Sequence, residues 1–278
     1  AQYLRNIDHW ESEEDTFVAR CVNSASNWLQ DQPKKDNLFL WLDCFDPHEP
    51  WDPPERYKNM YVDPNYDGKD IIYPIPGKVE GYLTKEELHH IKMLYAGKVS
   101  LCDYWMGQFF NKLKKMGIYD DTMIIFTSDH GAPFGEHGII KKAEPLLFEE
   151  LVHIPLIIKH PGGLGAGQRF EALVETTEIF PTILDFLDVR IPPKVHGKSL
   201  LPMISGTEDK IRDYAYMGYF KQAWRINDHD WSFMMYLDKK RPSELYHLKE
   251  DPLEKSNVID QNPTKAMELE LELRKFVA

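Results

Sequence analysis

The segment Thr122–Ser128 (TMIIFTS), followed at once by Asp129 and His130, constrains the fold more than any other part of the chain. A short apolar run of this kind is typical of a strand that is buried on both faces of a sheet. Two more runs have the same pattern, Asn37–Cys44 (NLFLWLDC) and Ile154–Lys159 (IPLIIK). We therefore predict that all three are strands.

Helical patterns alternate with these runs. Apolar side chains recur at helical spacing in residues 12–30. Thr177–Leu187, which contains Pro181, is also predicted to be a helix. The capping box TKEE, which starts at Thr84, opens a long helix that ends near Lys115. Alternating strands and helices predict an α/β fold with a mostly parallel sheet sandwiched by helices.

The composition changes near Ser205, where short aromatic segments begin. This change predicts two domains, an α/β domain at residues 1–204 and a small antiparallel α+β subdomain at residues 205–278. The subdomain is predicted to contain three strands and a helix, at Tyr214–Phe220, Ala223–Asn227, Trp231–Leu237 and residues 263–276.

Composition and charge exclude several functions. The formal net charge of −12 argues against nucleic-acid binding, which needs a basic face. Cys21, Cys44 and Cys102 contain no C-x-x-C pair, which argues against a disulfide framework and a structural zinc site. No signal peptide and no membrane-spanning apolar run is visible, so we expect no membrane partner. The compartment is left open between cytoplasm and periplasm.

Asp129 and His130 are the sharpest candidates for chemistry. They follow a predicted strand directly, and ligands of open α/β sheets gather beyond the carboxyl ends of strands. An adjacent carboxylate and imidazole can both face one cation. The alternative is a plain strand-end turn in which Asp129 caps a helix.

Further polar side chains surround this pair in the sequence. His137, Lys141 and Lys142 follow within a few residues, and a lysine beside a metal site can stabilise an anionic leaving oxygen. His48 lies between two prolines after another predicted strand, where a histidine can bind an anion or act as a general acid. The alternatives are a solvated lysine pair and a rigid surface loop.

Together these segments resemble the sulfatase family of the alkaline phosphatase superfamily. The resemblance spans residues 38–257 and implies an alkaline-phosphatase-like fold, of which residues 1–204 are the C-terminal part of the catalytic domain. It is carried by an ordered set of motifs: LDCFDPHEPWDPPERY, IYDDTMIIFTSDHGAPFGEHG with Lys142, ELVHIPLII, FPTILDFLDV, GKSLLPMISG and ELYHLKEDPLEKSN.

The resemblance implies a role for each candidate residue. Asp129 and His130 match metal ligands, while His48 and Lys142 match catalytic residues that contact the sulfate group or the leaving oxygen. His137 would lie near the substrate. The implied metal is Ca²⁺, with Mn²⁺, Mg²⁺ and Zn²⁺ as alternatives. The implied substrate is a small-molecule or saccharide sulfate ester.

One part of the family's machinery has no match. Sulfatases oxidise the Cys or Ser of a C/S-x-P-x-R motif to formylglycine, and no such motif occurs here. The family's second pair of metal-binding aspartates is also unmatched, since Asp120 and Asp121 precede their strand. We expect an N-terminal segment of about a third of a catalytic domain to carry formylglycine. The chain alone is expected to be inactive and to pack against that segment or a second copy.

Three alternative functions stay open. A phosphonate monoester or phosphodiester hydrolase of the same superfamily is favoured by His130, since imidazole suits Mn²⁺ or Zn²⁺ better than Ca²⁺. A metallophosphatase or mutase would need further ligands, for which His153, His160 and His196 are the candidates. The third alternative is a homologue that binds without catalysing.

Overall fold

The computed structural model describes residues 5, 7, 9–142, 145–219, 221–238 and 241–277. The chain forms two compact units, residues 1–122 and 123–278. The predicted domain boundary at residues 204 and 205 stays a prediction.

The first unit is mainly helical. A 3-10 turn at Glu13–Asp15 precedes the helices. The predicted capping box at Thr84 is confirmed. The Thr84 side chain accepts the N–H of Glu87, and the Glu87 carboxylate accepts the N–H of Thr84. The two long helices pack against each other, and Val22 of the first and Leu101 of the second are buried. The elements are α1 (Phe17–Asp31), α2 (Glu55–Lys58), β1 (Gly77–Lys78) and α3 (Lys85–Lys115).

The predicted strand at Asn37–Cys44 is wrong. These residues form neither helix nor strand, and the side chains of Phe39 and Trp41 are 64% and 67% exposed. A strand requires a neighbour for its backbone hydrogen bonds, and none of the described residues forms a ladder with this segment. Its apolar side chains favour burial, but the described residues leave several of them exposed.

The second unit begins with a strand pair. The predicted strands are confirmed as β2 and β4, but they run antiparallel, with Ile125 opposite Ile158. The segment between them contains a short helix rather than a long crossover helix, and the chain returns in the opposite direction. The predicted helix around Pro181 is also confirmed. The elements are β2 (Ile124–Thr127), β3 (Ile139–Ile140), α4 (Glu149–Val152), β4 (Leu156–Lys159), α5 (Ile179–Phe186) and α6 (Leu201–Ile204).

The last part of the second unit is a four-stranded antiparallel sheet in chain order, covered by a helix. Leu269 and Leu273 of the helix are fully buried against Ile226 and Phe233 of the sheet. The three predicted strands and the helix are confirmed, with Phe220 lying outside the described residues. The fourth strand was not predicted. The elements are β5 (Ala215–Tyr219), β6 (Ala223–Asn227), β7 (Trp231–Tyr236), β8 (Glu244–His247) and α7 (Pro263–Val277).

In the portion of the chain that the structure covers, no helix combines the length and the apolarity needed to cross a membrane.

Candidate metal and anion site

Asp129 and His130 lie just beyond the end of β2 and face the same region. One carboxylate oxygen of Asp129 accepts the backbone N–H of His130 at 2.9 Å, and the other lies 3.4 Å from Nε2 of the His130 ring. The Asp129 side chain is 84% exposed, so its carboxylate is accessible to a ligand. The two side chains are close enough for one cation to contact both.

The hydrogen bonds of His130 define which ring nitrogen carries the proton. Nδ1 lies 2.8 Å from the carbonyl oxygen of Gly131, which can only accept, so Nδ1 is protonated and donates. In the neutral ring, Nε2 then has the lone pair. Lys142 Nζ lies 2.8 Å from this atom, and its ammonium group donates to it. Lys142 therefore occupies the lone pair that a metal ion would use.

The loop that carries this pair is held by α4. The N–H of Gly131 donates to the carbonyl of Leu151 at 2.7 Å. A Cβ added to Gly131 would collide with the backbone oxygen of Glu150. A residue without a side chain is therefore required where the loop meets the helix.

The side chains at this site can supply two of the ligands that a metal ion needs. The described residues contain no group of three or more His, Cys, Asp or Glu side chains that could hold a metal ion. A carboxylate and a neutral imidazole suit a divalent cation, but Ca²⁺ and Mg²⁺ need six or more ligands. Asp129 and His130 fit as two of these.

His137 connects neighbouring segments through both nitrogens of its ring. Nδ1 lies 2.6 Å from the Glu150 carboxylate and Nε2 lies 3.0 Å from the Glu254 carbonyl, while the ring stacks on Phe148 with centroids 3.5 Å apart. Burial works against protonation, but the hydrogen bonds to Glu150 and Glu254 outweigh it and raise the pKa of His137. Both ring nitrogens lie against protein oxygens that accept hydrogen bonds, which favours the protonated ring. Its predicted contact with substrate stays a prediction.

A buried ion pair that was not predicted from the sequence lies beside His137. Arg225 and Glu254 have fully buried side chains and are 3.0 Å apart. Glu254 also accepts the hydroxyl of Ser232 at 2.7 Å and the N–H of Glu149 at 2.8 Å, and Arg225 forms a second ion pair with Glu149. Burial raises the pKa of Glu254, and the charge of Arg225 opposes the shift. The charged residue Arg225 between the apolar residues Trp224 and Ile226 was the available signal.

The other histidines considered in the sequence have separate environments. His153 has a 78% exposed side chain and lies 3.0 Å from the Glu149 carboxylate. His160 packs edge-on against Phe186.

His48 belongs to the first unit, in the loop between Cys44 and α2. Its Nδ1 lies 2.9 Å from the carbonyl of Glu49, so Nδ1 donates, and Nε2 is the nitrogen that can meet a ligand. The ring packs against Phe45 with centroids 4.4 Å apart. The peptide bonds Asp46–Pro47 and Glu49–Pro50 on either side are cis.

Comparison with known proteins identifies relatives of the chain. The model of the Sulfatase family matches residues 3–189, and that of the N-sulphoglucosamine sulphohydrolase C-terminal region matches residues 135–276. An arylsulfatase of Clostridium perfringens is 28% identical, with 92% of this chain and 56% of that protein covered. An N-acetylglucosamine-6-O-sulfatase of Bacteroides thetaiotaomicron is 32% identical, with 59% and 31% covered. The crystal structure of the phosphonate monoester hydrolase of Agrobacterium radiobacter matches with a TM-score of 0.80 and 25% identity, covering 95% of this chain and 61% of that one.

These matches confirm the predicted fold class, since the fold is that of the alkaline-phosphatase-like α/β proteins. Within this class, the chain belongs to the sulfatase family, whose model covers most of its length. The chain spans about half the length of the curated relatives it matches.

Proposed function

We propose that the chain is the part of a sulfate ester hydrolase that holds the metal ion and the leaving group. The observation that carries this proposal is the arrangement around His130. Its Nε2 lies 2.8 Å from the ammonium nitrogen of Lys142 and 3.4 Å from the carboxylate of Asp129. The carboxylate of Asp129 and the imidazole of His130 suit a metal ion, and the ammonium group of Lys142 suits an anion bound to that metal.

Asp129 and His130 would hold the divalent metal. Ca²⁺ is expected, with Mn²⁺, Mg²⁺ and Zn²⁺ as alternatives. When bound, a divalent cation neutralises the negative charge of sulfate oxygens. His130 needs no change of tautomer for this role, because its Nδ1–H is already used by the Gly131 carbonyl.

Lys142 and His48 would act at the oxygen that leaves. The Lys142 ammonium, released from His130 Nε2, can donate hydrogen bonds to an anionic oxygen beside the metal ligands. His48 donates Nδ1–H to the Glu49 carbonyl, so the proton it delivers would leave from Nε2. These two side chains are the proposed catalytic residues.

The nucleophile of the reaction would come from outside this sequence. The C/S-x-P-x-R motif that yields formylglycine is not found in the 278 residues. Covalent attack on sulfur requires such a group. We therefore expect the chain alone to be inactive and to complete its site with an N-terminal segment.

A saccharide sulfate ester is the proposed substrate class. The match to the N-sulphoglucosamine sulphohydrolase C-terminal model and the relative named N-acetylglucosamine-6-O-sulfatase both support a sulfated amino sugar. An aryl sulfate is the alternative, supported by the relative named arylsulfatase.

A phosphonate monoester hydrolase is the second candidate function. It is supported by the structural similarity to the Agrobacterium radiobacter enzyme and by the imidazole of His130, which suits Mn²⁺ or Zn²⁺. We regard sulfate ester hydrolysis as the better supported function because the sulfatase model covers most of the chain.

Metal titration of the purified chain tests the metal half of this proposal. Isothermal titration with Ca²⁺, Mn²⁺ and Zn²⁺ should detect weak binding that the variant Asp129→Ala loses. Exchange of the exposed Asp260, which lies elsewhere in the second unit, for Ala is the matched control. Equal binding by the native chain and Asp129→Ala would refute the assignment of the metal ligands.

A further inference from the structure

The loop that carries His48 is tied to a buried lysine of α3. The ammonium nitrogen of Lys98 lies 2.8 Å from Asp46 Oδ1 and 3.4 Å from Asp52 Oδ1. The side chains of Lys98 and Asp46 are only 1% and 2% exposed, and that of Asp52 is 15% exposed. Burial disfavours the ammonium, but the two carboxylates outweigh it and raise the pKa of Lys98. The lysine is therefore charged and binds two points of one loop.

Both ends of the loop are held firmly. The second oxygen of Asp46 accepts the N–H of Val18 at 2.8 Å, which ties the first end to the start of α1. At the other end, a Cβ added to Gly97 would lie 2.8 Å from Cγ of Pro53, so the loop lies directly against α3 beside Lys98.

His48 itself has weaker restraints. Its Nδ1 donates to the carbonyl of the adjacent Glu49 and lies 3.4 Å from the Glu49 carboxylate. Its backbone N–H donates to the carbonyl of Phe45 at 3.0 Å, and its ring packs on Phe45, a residue that is 56% exposed. The orientation of the imidazole therefore depends on the backbone between Asp46 and Asp52.

A purely structural contact here would not need charges. Replacing a buried ion pair by apolar side chains is often neutral for stability, whereas an ammonium between two carboxylates also defines where each carboxylate lies. His48 follows Asp46 by two residues and precedes Asp52 by four. The ion pairs thus bracket the histidine in sequence and define the ends of its loop.

We propose that Lys98 is a positioning residue that orients the imidazole of His48 by binding Asp46 and Asp52 at the two ends of its loop. The value of this orientation for catalysis rests on the role proposed above for His48. The orientation itself is a property of the chain as it stands.

The test compares four variants by nuclear magnetic resonance. Lys98→Met removes both ion pairs, Lys98→Arg keeps the charge, and Asp52→Asn removes one end only. Lys112→Met is the matched control, because Lys112 is on the same helix and its Nζ lies 2.8 Å from Asn23. Ring ¹⁵N shifts of His48 at alkaline pH report the Nδ1–H tautomer, and amide exchange reports the loop through the N–H groups of His48 and Trp51.

In Lys98→Met and Asp52→Asn, we expect amide exchange of His48 and Trp51 to become about tenfold faster and the ring shifts to indicate a mixture of tautomers. Lys98→Arg should recover part of the native behaviour, and Lys112→Met should be unchanged. If Lys98→Met fails to fold, Asp52→Asn decides, because it retains the ion pair with Asp46. Native shifts and native exchange in a folded variant of either kind would overturn the proposal, as would equal changes in Lys112→Met.

These outcomes do not depend on the proposed function, since no ester is present. A whole protein that kept full turnover after His48→Ala would refute the catalytic role of His48. The effect of Lys98 on the His48 ring would still be decided by the nuclear magnetic resonance experiment.

Discussion

The ammonium nitrogen of Lys142 lies 2.8 Å from Nε2 of His130, at the lone pair through which His130 would bind a metal ion. The same lysine is the proposed donor to the leaving oxygen. Binding of a metal to His130 would therefore release Lys142 toward the anion. Under the proposed function, metal binding and anion binding at these two residues would be linked.

This relationship predicts that Lys142 competes with the metal. In Lys142→Met, Nε2 no longer accepts a hydrogen bond from an ammonium group and the nearby positive charge is lost. We expect Mn²⁺ to bind about tenfold more tightly than to the native chain, as measured by electron paramagnetic resonance. The exposed Lys249 provides the control, since Lys249→Met should leave the affinity unchanged. Weaker Mn²⁺ binding to Lys142→Met would contradict the competition.

The buried ion pair of the second unit predicts a large loss of stability. Arg225→Met leaves the fully buried carboxylate of Glu254 and the partly buried carboxylate of Glu149 without their guanidinium partner. We expect the free energy of unfolding to fall by about 3–5 kcal/mol, measured by urea denaturation. The double variant Arg225→Met with Glu254→Met should recover much of this loss. A loss that is the same in the single and double variants would show that the ion pair is not its cause.

The pKa of His137 predicts a dependence of stability on pH. The folded state raises this pKa above its ordinary value of 6.5. The contribution of His137 is therefore fully present below pH 6.5 and is lost as the pH rises through the higher pKa of the folded state. Thermal unfolding of the native chain and of His137→Gln should differ most at acidic pH and converge at alkaline pH. A difference that grows with pH would contradict the assignment of an imidazolium.

The helices could be predicted from sequence because their signals are local. The capping box that begins at Thr84 and the apolar spacing in residues 12–30 lie within a few residues of the structures they indicate. The aromatic strands of the C-terminal sheet were predictable for the same reason. The short strand β8, Glu244–His247, has no such local pattern. It is defined by its backbone pairing with β7.

The segment Asn37–Cys44 shows where local patterns are insufficient. Its apolar residues predicted a buried strand, but a strand depends on partners that apolarity does not identify. The direction of β4 was missed in the same way, since the run of Leu156–Lys159 is apolar whichever way it pairs.

The candidate site was predictable only in part. Asp129, His130 and Lys142 were identified from their sequence motif, and the structure brings all three together. The buried residues Arg225 and Glu254, which both bind Glu149 of α4, come from distant parts of the sequence. The charge of Arg225 within its strand is a local signal, but its pairing with Glu254 depends on the tertiary fold.

The most direct test of the account is turnover of an aryl sulfate and of an aryl phosphonate by the whole protein that carries the nucleophile. We predict a higher kcat/KM for the sulfate, a loss of turnover in Asp129→Ala, and no turnover by the purified 278-residue chain alone. Preference for the phosphonate, or normal sulfate turnover by the chain alone, would contradict the account.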